Sequence, residues 1–578
     1  MGSMNGIYIG VSGLQVSQNA LNVTSHNLAN VDTDGFVRQQ VVVTDFRYAN
    51  LGENHISYLQ KGLGANFAEV KQVRDIFLDK SFRLETGRGA FYQAQSDAVS
   101  EIEGYFGELQ GSTFQDTMGD FWTALQELAK EPDSVVARAS LTQTAVTFIE
   151  RAETISNQLK DYQVNLNTQI KNQVSRINEI GDQINTLNKK IRQYESTGVE
   201  NANDLRDERN NLLDELSKMI NITYKENSSG VVTVTAEGVP LVSEDMAFKM
   251  DTIPVSEGSG MLKPVWVSHG NADVFDLSRA ASSENNTDVG YLKGLLTARG
   301  DKQANYTDIP KRENYETDAL YNTAVLEFNN TINASPVMSV QAEFDQLIHG
   351  IVTMVNDVLS PNKEVTLEDG TKAYILDTEN APVGLDDDKT MGNGLFNRKA
   401  TARYTEVDSL VIRNDDGTLE TLTGPLMLYN GEDPEDNYSL FTLGEIEVNP
   451  DIMQDLSLIP LSSNTGSGDY DVETAKKLIS KWQESFSTLT PNSLTEYNFN
   501  GYYNSFISEL ANRGDRCITI GQNQASMVES INNERTKVTG VSSDEELTNL
   551  IKYQHAYNAS ARYITTVSQM LEDIVTKL

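Results

Sequence analysis

A single cysteine, Cys517, occurs in 578 residues, so no disulfide can form within the chain. Long apolar runs are missing too. No stretch of about 18 apolar residues is present, which leaves no segment expected to cross a bilayer as a helix. Basic residues are scarce: 46 Lys and Arg stand against 83 Asp and Glu, for a net charge of −37. Nucleic acid demands a basic footprint, so it is not an expected partner, and the acidity fits a solvated surface. The first Lys or Arg is Arg38, and apart from His26 residues 1–31 hold no acidic or basic side chain. A cleavable secretory signal needs a positive start and a dense apolar core, and neither is there.

Motifs that carry chemistry are equally absent. The histidines at 26, 55, 269, 349 and 555 include no pair four apart and no His-Glu-x-x-His helix. Cys517 has no Cys-x-x-Cys partner for zinc or redox work, and no Walker A or Gly-x-Gly-x-x-Gly loop follows a strand. Asp386-Asp-Asp388 lacks the spaced ligands and distal glutamate of a calcium loop, which makes it a solvated turn. His26 and His555 are expected to be packing residues. No catalytic residue, cofactor or metal site is expected, and the chain is not expected to be an enzyme.

What the chain does have is helical periodicity at both ends. Leu550, Tyr557, Ile564, Leu571 and Leu578 fall seven apart, with Tyr553, Val567 and Ile574 between them. That is an a/d seam over about four heptads. Ser543 and Glu546 have the spacing of a capping box. At the other end Ile7, Leu14, Leu21 and Leu28 are also seven apart, with Met4 and Val11 alongside. The remaining faces hold Ser, Asn and Gln without charge, a composition suited to a helix surrounded by other helices. Alone, such a helix is marginal in water. The two ends are therefore expected to pair, to be mobile in a monomer and to become ordered in an assembly.

Between the ends, a turn-rich Asn30–Gly35 precedes a strand-like Phe36–Phe46, and residues 47–75 suggest a hairpin-like excursion. Helical spacing covers Ile76–Tyr105, Thr113–Ala129 and above all 135–196. The row Leu141, Phe148, Ile155, Tyr162 there shifts to Ile170, Ile177, Ile184, Ile191, paired with Ile180, Leu187 and Tyr194, a change that alters supercoiling without ending the helix. At 1.5 Å per residue such a helix spans about 90 Å, so the molecule is expected to be elongated. A shorter helix, Asp204–Met219, should bury Leu205, Leu212 and Leu216. Strands follow at Ile222–Tyr224, Val231–Thr235, Ala247–Met250 and Val265–Val267. Helices return at Val289–Ala298 and Ala319–Leu359, with Pro336 interrupting. After a turn-rich, strand-bearing stretch at 360–470, helices resume at Asp471–Leu489 and Tyr502–Val538.

The expected fold is mainly α with β-rich insertions, elongated and nested. Residues 1–35 and 541–578 would form a terminal coiled-coil domain, and 36–221, 286–359 and 471–540 a helical-bundle middle domain. A small β-rich insertion would occupy 222–285, and a β-rich outer domain 360–470.

Several stretches are similar to one family. Val11-Ser-Gly-Leu-Gln and Thr24-Ser-His-Asn-Leu-Ala-Asn, with Thr33, Gly35 and Arg38-Gln39, resemble the amino-terminal signature of bacterial flagellar rod, hook and hook-associated proteins. Asp34-Gly35-Phe36 stands where that group often has Pro-Gly-Tyr. Asp204-Leu-Arg-Asp-Glu-Arg-Asn-Asn-Leu-Leu-Asp-Glu-Leu216 and Gly290-Tyr-Leu-Lys-Gly-Leu-Leu resemble motifs of the hook-associated protein 1 family. So does the carboxyl end, Thr539-Gly-Val-Ser-Ser-Asp-Glu-Glu-Leu through Tyr553-Gln-His-Ala-Tyr-Asn-Ala-Ser-Ala-Arg562.

The resemblance implies an extracellular structural subunit at the hook–filament junction of the bacterial flagellum, exported through the type III channel without a cleaved signal. It implies self-association in a ring or tube, contact with the hook protein and an adjacent hook-associated junction protein, and a cytoplasmic export chaperone. The expected assembly residues are Ile7, Leu14, Leu21, Leu28, Leu550, Tyr557, Ile564, Leu571 and Leu578. The chaperone is expected on Leu550, Tyr557, Ile564 and Leu571. Two alternatives stand beside this reading. Another axial subunit, rod or hook, is disfavoured by the 204–216 motif. A secreted adhesin or enzyme displayed on a helical stalk would need a metal or nucleophile motif in 360–470, where none occurs.

Overall fold

The computed structural model describes the whole chain except residues 1, 55–56, 108–112, 197, 199, 258, 415, 463–471 and 578, with backbone alone at 2–4, 49–54, 57–61 and 577. Its amino-terminal helix α1 (Gly2–Ala29) leads into a long hairpin in which β1 (Gln39–Asp45) pairs antiparallel with β4 (Ala65–Gln72). β2 (Tyr48–Asn54) and β3 (Ser57–Gly62) continue the same excursion outward.

The helical body begins at α2 (Ile76–Phe106), capped by the Asp75 carboxylate on the Phe77 and Leu78 amides. α3 (Phe114–Lys130) opens with a complete Thr113–Asp116 capping box. Reciprocal bonds of this kind satisfy two of the free amides in the first turn. α4 (Val135–Glu195) is one continuous helix of 61 residues. Its buried row runs through Leu141, Phe148, Ile155, Tyr162, Leu166, Ile170, Val174, Ile177, Ile184 and Ile191. The successive four-residue steps from Tyr162 to Val174 are the shift expected from the sequence. Tyr194, expected to pair with that row, is instead 65% exposed.

Next comes α5 (Asn203–Met219), followed by a three-stranded sheet of β5 (Ile222–Glu226), β6 (Val232–Ala236) and β7 (Val239–Val242). A second small sheet holds β8 (Met250–Pro254), β9 (Leu262–Trp266) and β10 (Ala272–Asp273). Both lie along α4, whose Asn188 and Asn178 hold the Val232 and Met250 backbones by paired amide bonds.

α6 (Tyr291–Arg299), α7 (Asp318–Asn330) and α8 (Pro336–Leu359) return to the body. The helical stretch does break before Pro336: α7 ends at Asn330, and Pro336 is the first residue of α8, where its missing N–H costs nothing, with Ser335 as the cap. α8 is buried on nearly every side from Val337 to Ile348. Its Phe344 meets Phe106, Phe114 and Phe506 in one aromatic cluster.

Beyond α8, β11 (Asn362–Thr366), β12 (Lys372–Leu376), β14 (Tyr404–Arg413) and β15 (Leu419–Tyr429) make a sheet in the order β11-β12-β15-β14. A Leu367–Ile412 bridge draws the two edges together. β13 (Phe396–Arg398) pairs with β16 (Ile446–Val448) closer to the body, and the short α9 (Pro450–Gln454) follows. α10 (Val472–Gln483), the small β17 (Ser487–Thr488) and β18 (Glu496–Tyr497), and α11 (Phe499–Thr539) bring the chain back. α12 (Ser543–Lys577) ends it. One hydrophobic core runs from α2, α3 and α4 through α8 to the start of α11.

Candidate assembly surface and the joint beneath it

α1 and α12 lie antiparallel, and the contact between them is made on the α1 side by small residues. Gly6, Gly10, Gly13, Ser17, Ala20, Thr24 and Asn27 alternate by four and three along one face. Apart from the half-buried Gly13 they are all buried. A Cβ added at Gly10 would sit 2.5 Å from Ile564 Cγ1, and one at Gly13 would sit 2.8 Å from Ser560 Oγ. At Gly6 the neighbours would be Tyr563 and Val567, at 3.3 and 3.4 Å. Such closeness is open only to glycine and other small side chains, which let two helix backbones approach. The register follows: Gly6 faces Val567, Gly10 faces Ile564, Gly13 faces Ser560, and Asn27 bonds Glu546.

On α12 the expected seam does face inward. Val567 is buried, and Leu550, Tyr553, Tyr557, Ile564 and Leu571 are half-buried; Leu578 lies outside the described residues. Ile574, expected in the same row, is about half exposed. On α1 the arrangement differs from expectation. Ile7, Leu14, Leu21 and Leu28 lie one residue further round the helix than the small seam, and all four are half-buried. Tyr8, Ile551, Tyr563 and Met570 add large exposed apolar surface around the pair. The other side of α1 is taken by the hairpin, where Ser12 Oγ accepts the Ala65 N–H. Gly64, at φ +117, comes so close to Ser12 and the Ile9 backbone that no side chain would fit there.

His26 stacks edge-on against Phe36 with ring centres 5.4 Å apart, as a packing histidine should, whereas His555 is exposed on α12. The capping box expected at Ser543 does not form. Glu546 turns away from the helix start to accept from Arg38 Nε at 2.9 Å and from Asn27 Nδ2 at 3.2 Å. A buried carboxylate gains more from a guanidinium than from a backbone amide.

That carboxylate marks a joint between the terminal pair and the body, and the hub of the joint is α5. Sequence periodicity placed Leu205, Leu212 and Leu216 on one buried stripe. Leu216 is buried as expected, whereas Leu205 and Leu212 are half-buried, and Leu213, Asp207 and Arg209 are buried as well, since α5 is covered on several sides. Its polar residues reach different elements in turn. Asp204 accepts from Gln39 of β1, and Asp207 accepts from the Val37 N–H and from Gln72 at 2.7 Å. Arg206 pairs with Glu195 of α4 and Glu226 of β5. Arg209 holds Asn188 and the Gly230 carbonyl. Asp214 takes Arg83 of α2 at 2.6 Å and Arg535 of α11 at 2.7 Å, and Arg535 also reaches Asp79.

Burial pushes the Asp207 carboxyl up to about 7, against the downward pull of the Val37 N–H, Arg74 and Gln72. Burial would raise Asp79 as well, but Arg74, Arg535 and Arg83 outweigh it and hold that carboxyl below its usual range. Gly35, at φ +76, is pressed against Asn211 of α5, leaving no room for a Cβ. The sequence marked 204–216 only through its family resemblance; nothing in its periodicity pointed to a hub.

Among the described residues no three His, Cys, Asp or Glu side chains are placed to share a metal ion. The Asp386 carboxylate is spent on the Thr390 N–H and hydroxyl.

Comparison with known proteins bears on these same elements. The description "Flagellar hook-associated protein FlgK helical domain" matches residues 99–371. "Flagella basal body rod protein" matches residues 7–36, and "Flagellar basal body rod FlgEFG protein C-terminal" matches 534–577. The flagellar hook-associated protein 1 of Bacillus subtilis is 26% identical over 565 residues, covering 97% of this chain and 96% of its own. Over nearly its whole length the chain is similar to the flagellar hook-associated protein 1 family. A second member, from Escherichia coli, is 23% identical over 580 residues, with 98% of each chain covered. A solved structure described as the flagellar hook junction protein FlgK from Burkholderia pseudomallei aligns with a TM-score of 0.49 at 13% identity, covering 80% of this chain and 100% of that one. Within the family match, the two rod-type descriptions fall on the terminal pair and the joint, and the helical-domain description falls on the body.

Proposed function

We propose that the α1–α12 pair is the surface through which this chain polymerises, and that α5 sets its angle to the body. The chain is a structural subunit of the bacterial flagellum at the junction of hook and filament, acting outside the cell, and its work is mechanical, without catalysis. One observation carries the assembly reading: the half-buried row Ile7, Leu14, Leu21, Leu28 flanks a helix with no acidic or basic residue but His26. Copies bearing −37 each repel one another, and a charge-free apolar face is where they can meet without that penalty. Leu550, Tyr557, Ile564 and Leu571 complete this surface from α12, and Leu578, outside the described residues, is proposed to join them by its heptad spacing.

Partners follow from the same reading. Other copies form a ring or tube, the hook protein lies below, and an adjacent hook-associated junction protein lies above. Before export a cytoplasmic chaperone covers Leu550, Tyr557, Ile564 and Leu571, since an isolated amphipathic helix of this kind would otherwise expose its stripe. Residues 1–35 with 541–578 act as the assembling unit. The middle unit of 36–221, 286–359 and 471–540 acts as the wall, and 222–285 and 360–470 face outward. Deletion of the coding region tests the whole reading by electron microscopy: hooks bare of filament, with filament subunits shed into the medium, are expected. Normal filaments would overturn it.

A further inference from the structure

Beside the joint, a cavity of about 450 Å³ opens between α2, the start of β5 and the 285–289 loop. Lys80, Arg83, Asn221, Tyr224 and Asn286 give it a polar lining, with Leu84 and Ile222 beside them. Its charge runs against the rest of the molecule. Lys80 makes no ion pair among the described residues. Arg83 is 97% buried by its 3% exposure; its Nε is held by Asp214 and its Nη2 by Asn210, but Nη1 has no acceptor in the protein. The guanidinium stacks 4.4 Å over the Tyr224 ring, whose hydroxyl is also without a partner. Around this point Arg74, Arg83 and Arg535 are matched by Asp79, Asp207 and Asp214, which leaves Lys80 as the unbalanced charge. A local positive excess beside a cavity, in a chain with 83 acidic residues against 46 basic ones, is an attractive site for the chain's own acidic surface.

We infer that this cavity receives an acidic segment of a second copy of the chain, its carboxylate meeting Lys80 and Arg83 and its carbon stem lying on Leu84 and Ile222. The volume suits one or two side chains, and charge complementarity names the occupant. The inference rests on the self-association proposed above and adds a second, ionic contact to the apolar one.

Assembly of the full chain, followed by sedimentation velocity and by zero-length carbodiimide coupling in a mixture of isotopically distinct copies, tests it. A Lys80–carboxylate cross-link between copies is expected, and Lys80→Glu should raise the concentration for half-assembly about tenfold, while Lys80→Arg restores it. Helix content and melting should not change in either variant. Wild-type-like assembly of Lys80→Glu would overturn the inference, as would binding of citrate by the wild type alone with assembly unaffected, which would give the cavity to free anions. If the wild type does not assemble at all, the polymerisation reading fails by itself. The cavity is then read by fluorescence anisotropy with a labelled peptide of residues 430–438, an acidic loop of this chain in which Asp433, Glu435 and Asp436 are exposed, where equal binding to wild type and Lys80→Glu, or none to either, overturns the inference.

Discussion

Arg38 and Glu546 stand 508 residues apart in sequence, yet Arg38 Nε lies 2.9 Å from the Glu546 carboxylate. With Arg38 Nη1 on Glu545 at 3.0 Å and a backbone bond from the Arg38 N–H to the Thr539 carbonyl, this pair ties the link after α1 to the link before α12. Glu546 is almost wholly buried, so its partner matters more than a surface ion pair would. Arg38→Ala should cost about 2–3 kcal/mol locally. Amide hydrogen exchange over the first turns of α12 is expected to quicken at least about tenfold, with melting of the body unchanged. Unaltered exchange would show that Asn27 alone holds the helix start.

The two faces of α1 can be separated by substitution. Gly10→Val must push Ile564 away and should part α1 from α12, seen as lost helix content and lost assembly with the body still folded. Leu21→Asp should keep the pair and abolish assembly alone, because that side chain lies outside the small seam. Ile564→Asp should behave like Gly10→Val. Equal loss of helix content in Gly10→Val and Leu21→Asp would refute the division of faces.

Glu343 of α8 is buried, and burial pushes its carboxyl up to about 8 despite Arg513 nearby. A carboxyl raised in the folded state loses stability as pH rises from its unfolded value, near 4.5, through about 8. Glu343→Gln removes that loss. Its stabilising effect should be negligible below about pH 4.5 and reach the order of a few kcal/mol above pH 8, as thermal melts across that range will report.

Glu432 has the opposite sign. Burial favours its neutral form, but the hydrogen bond and charge of His349, 3.1 Å away, and the Tyr306 hydroxyl hold the carboxyl below its usual value. Its contribution is therefore present above about pH 4.5 and is lost as pH falls through the lowered value. Glu432→Gln should lower melting at neutral pH by about 1–3 kcal/mol and flatten the acid limb. An acid limb as steep as the wild type's would assign that pH dependence to other carboxyls.

Much of this fold was legible because apolar spacing reports which side of a helix is covered. The 61-residue α4, its shifted row, the Thr113 helix start and the inward row of α12 all follow from spacing and capping chemistry. The same signal misplaced residues wherever burial was not one-sided. α5 buries Asp207 and Arg209 because several elements crowd around it, and no hydrophobic pattern can mark a buried charge whose partner comes from elsewhere. Glu546 had the spacing of a cap, but Arg38 competes for it from across the molecule.

By itself the sequence determined that the ends are helical, that α1 carries almost no charge, and that α12 has a heptad seam needing a partner. Those are local properties, set by side-chain type and periodicity. Only the tertiary structure decided that the partner face of α1 is the glycine and small-residue row and not the leucine row. It also decided that Gly10 meets Ile564 and that Arg38 meets Glu546. Hydropathy ranks side chains by their dislike of water, and glycine scores poorly there. Close packing of two helices rewards the absence of a side chain, which becomes visible only when both backbones are in place.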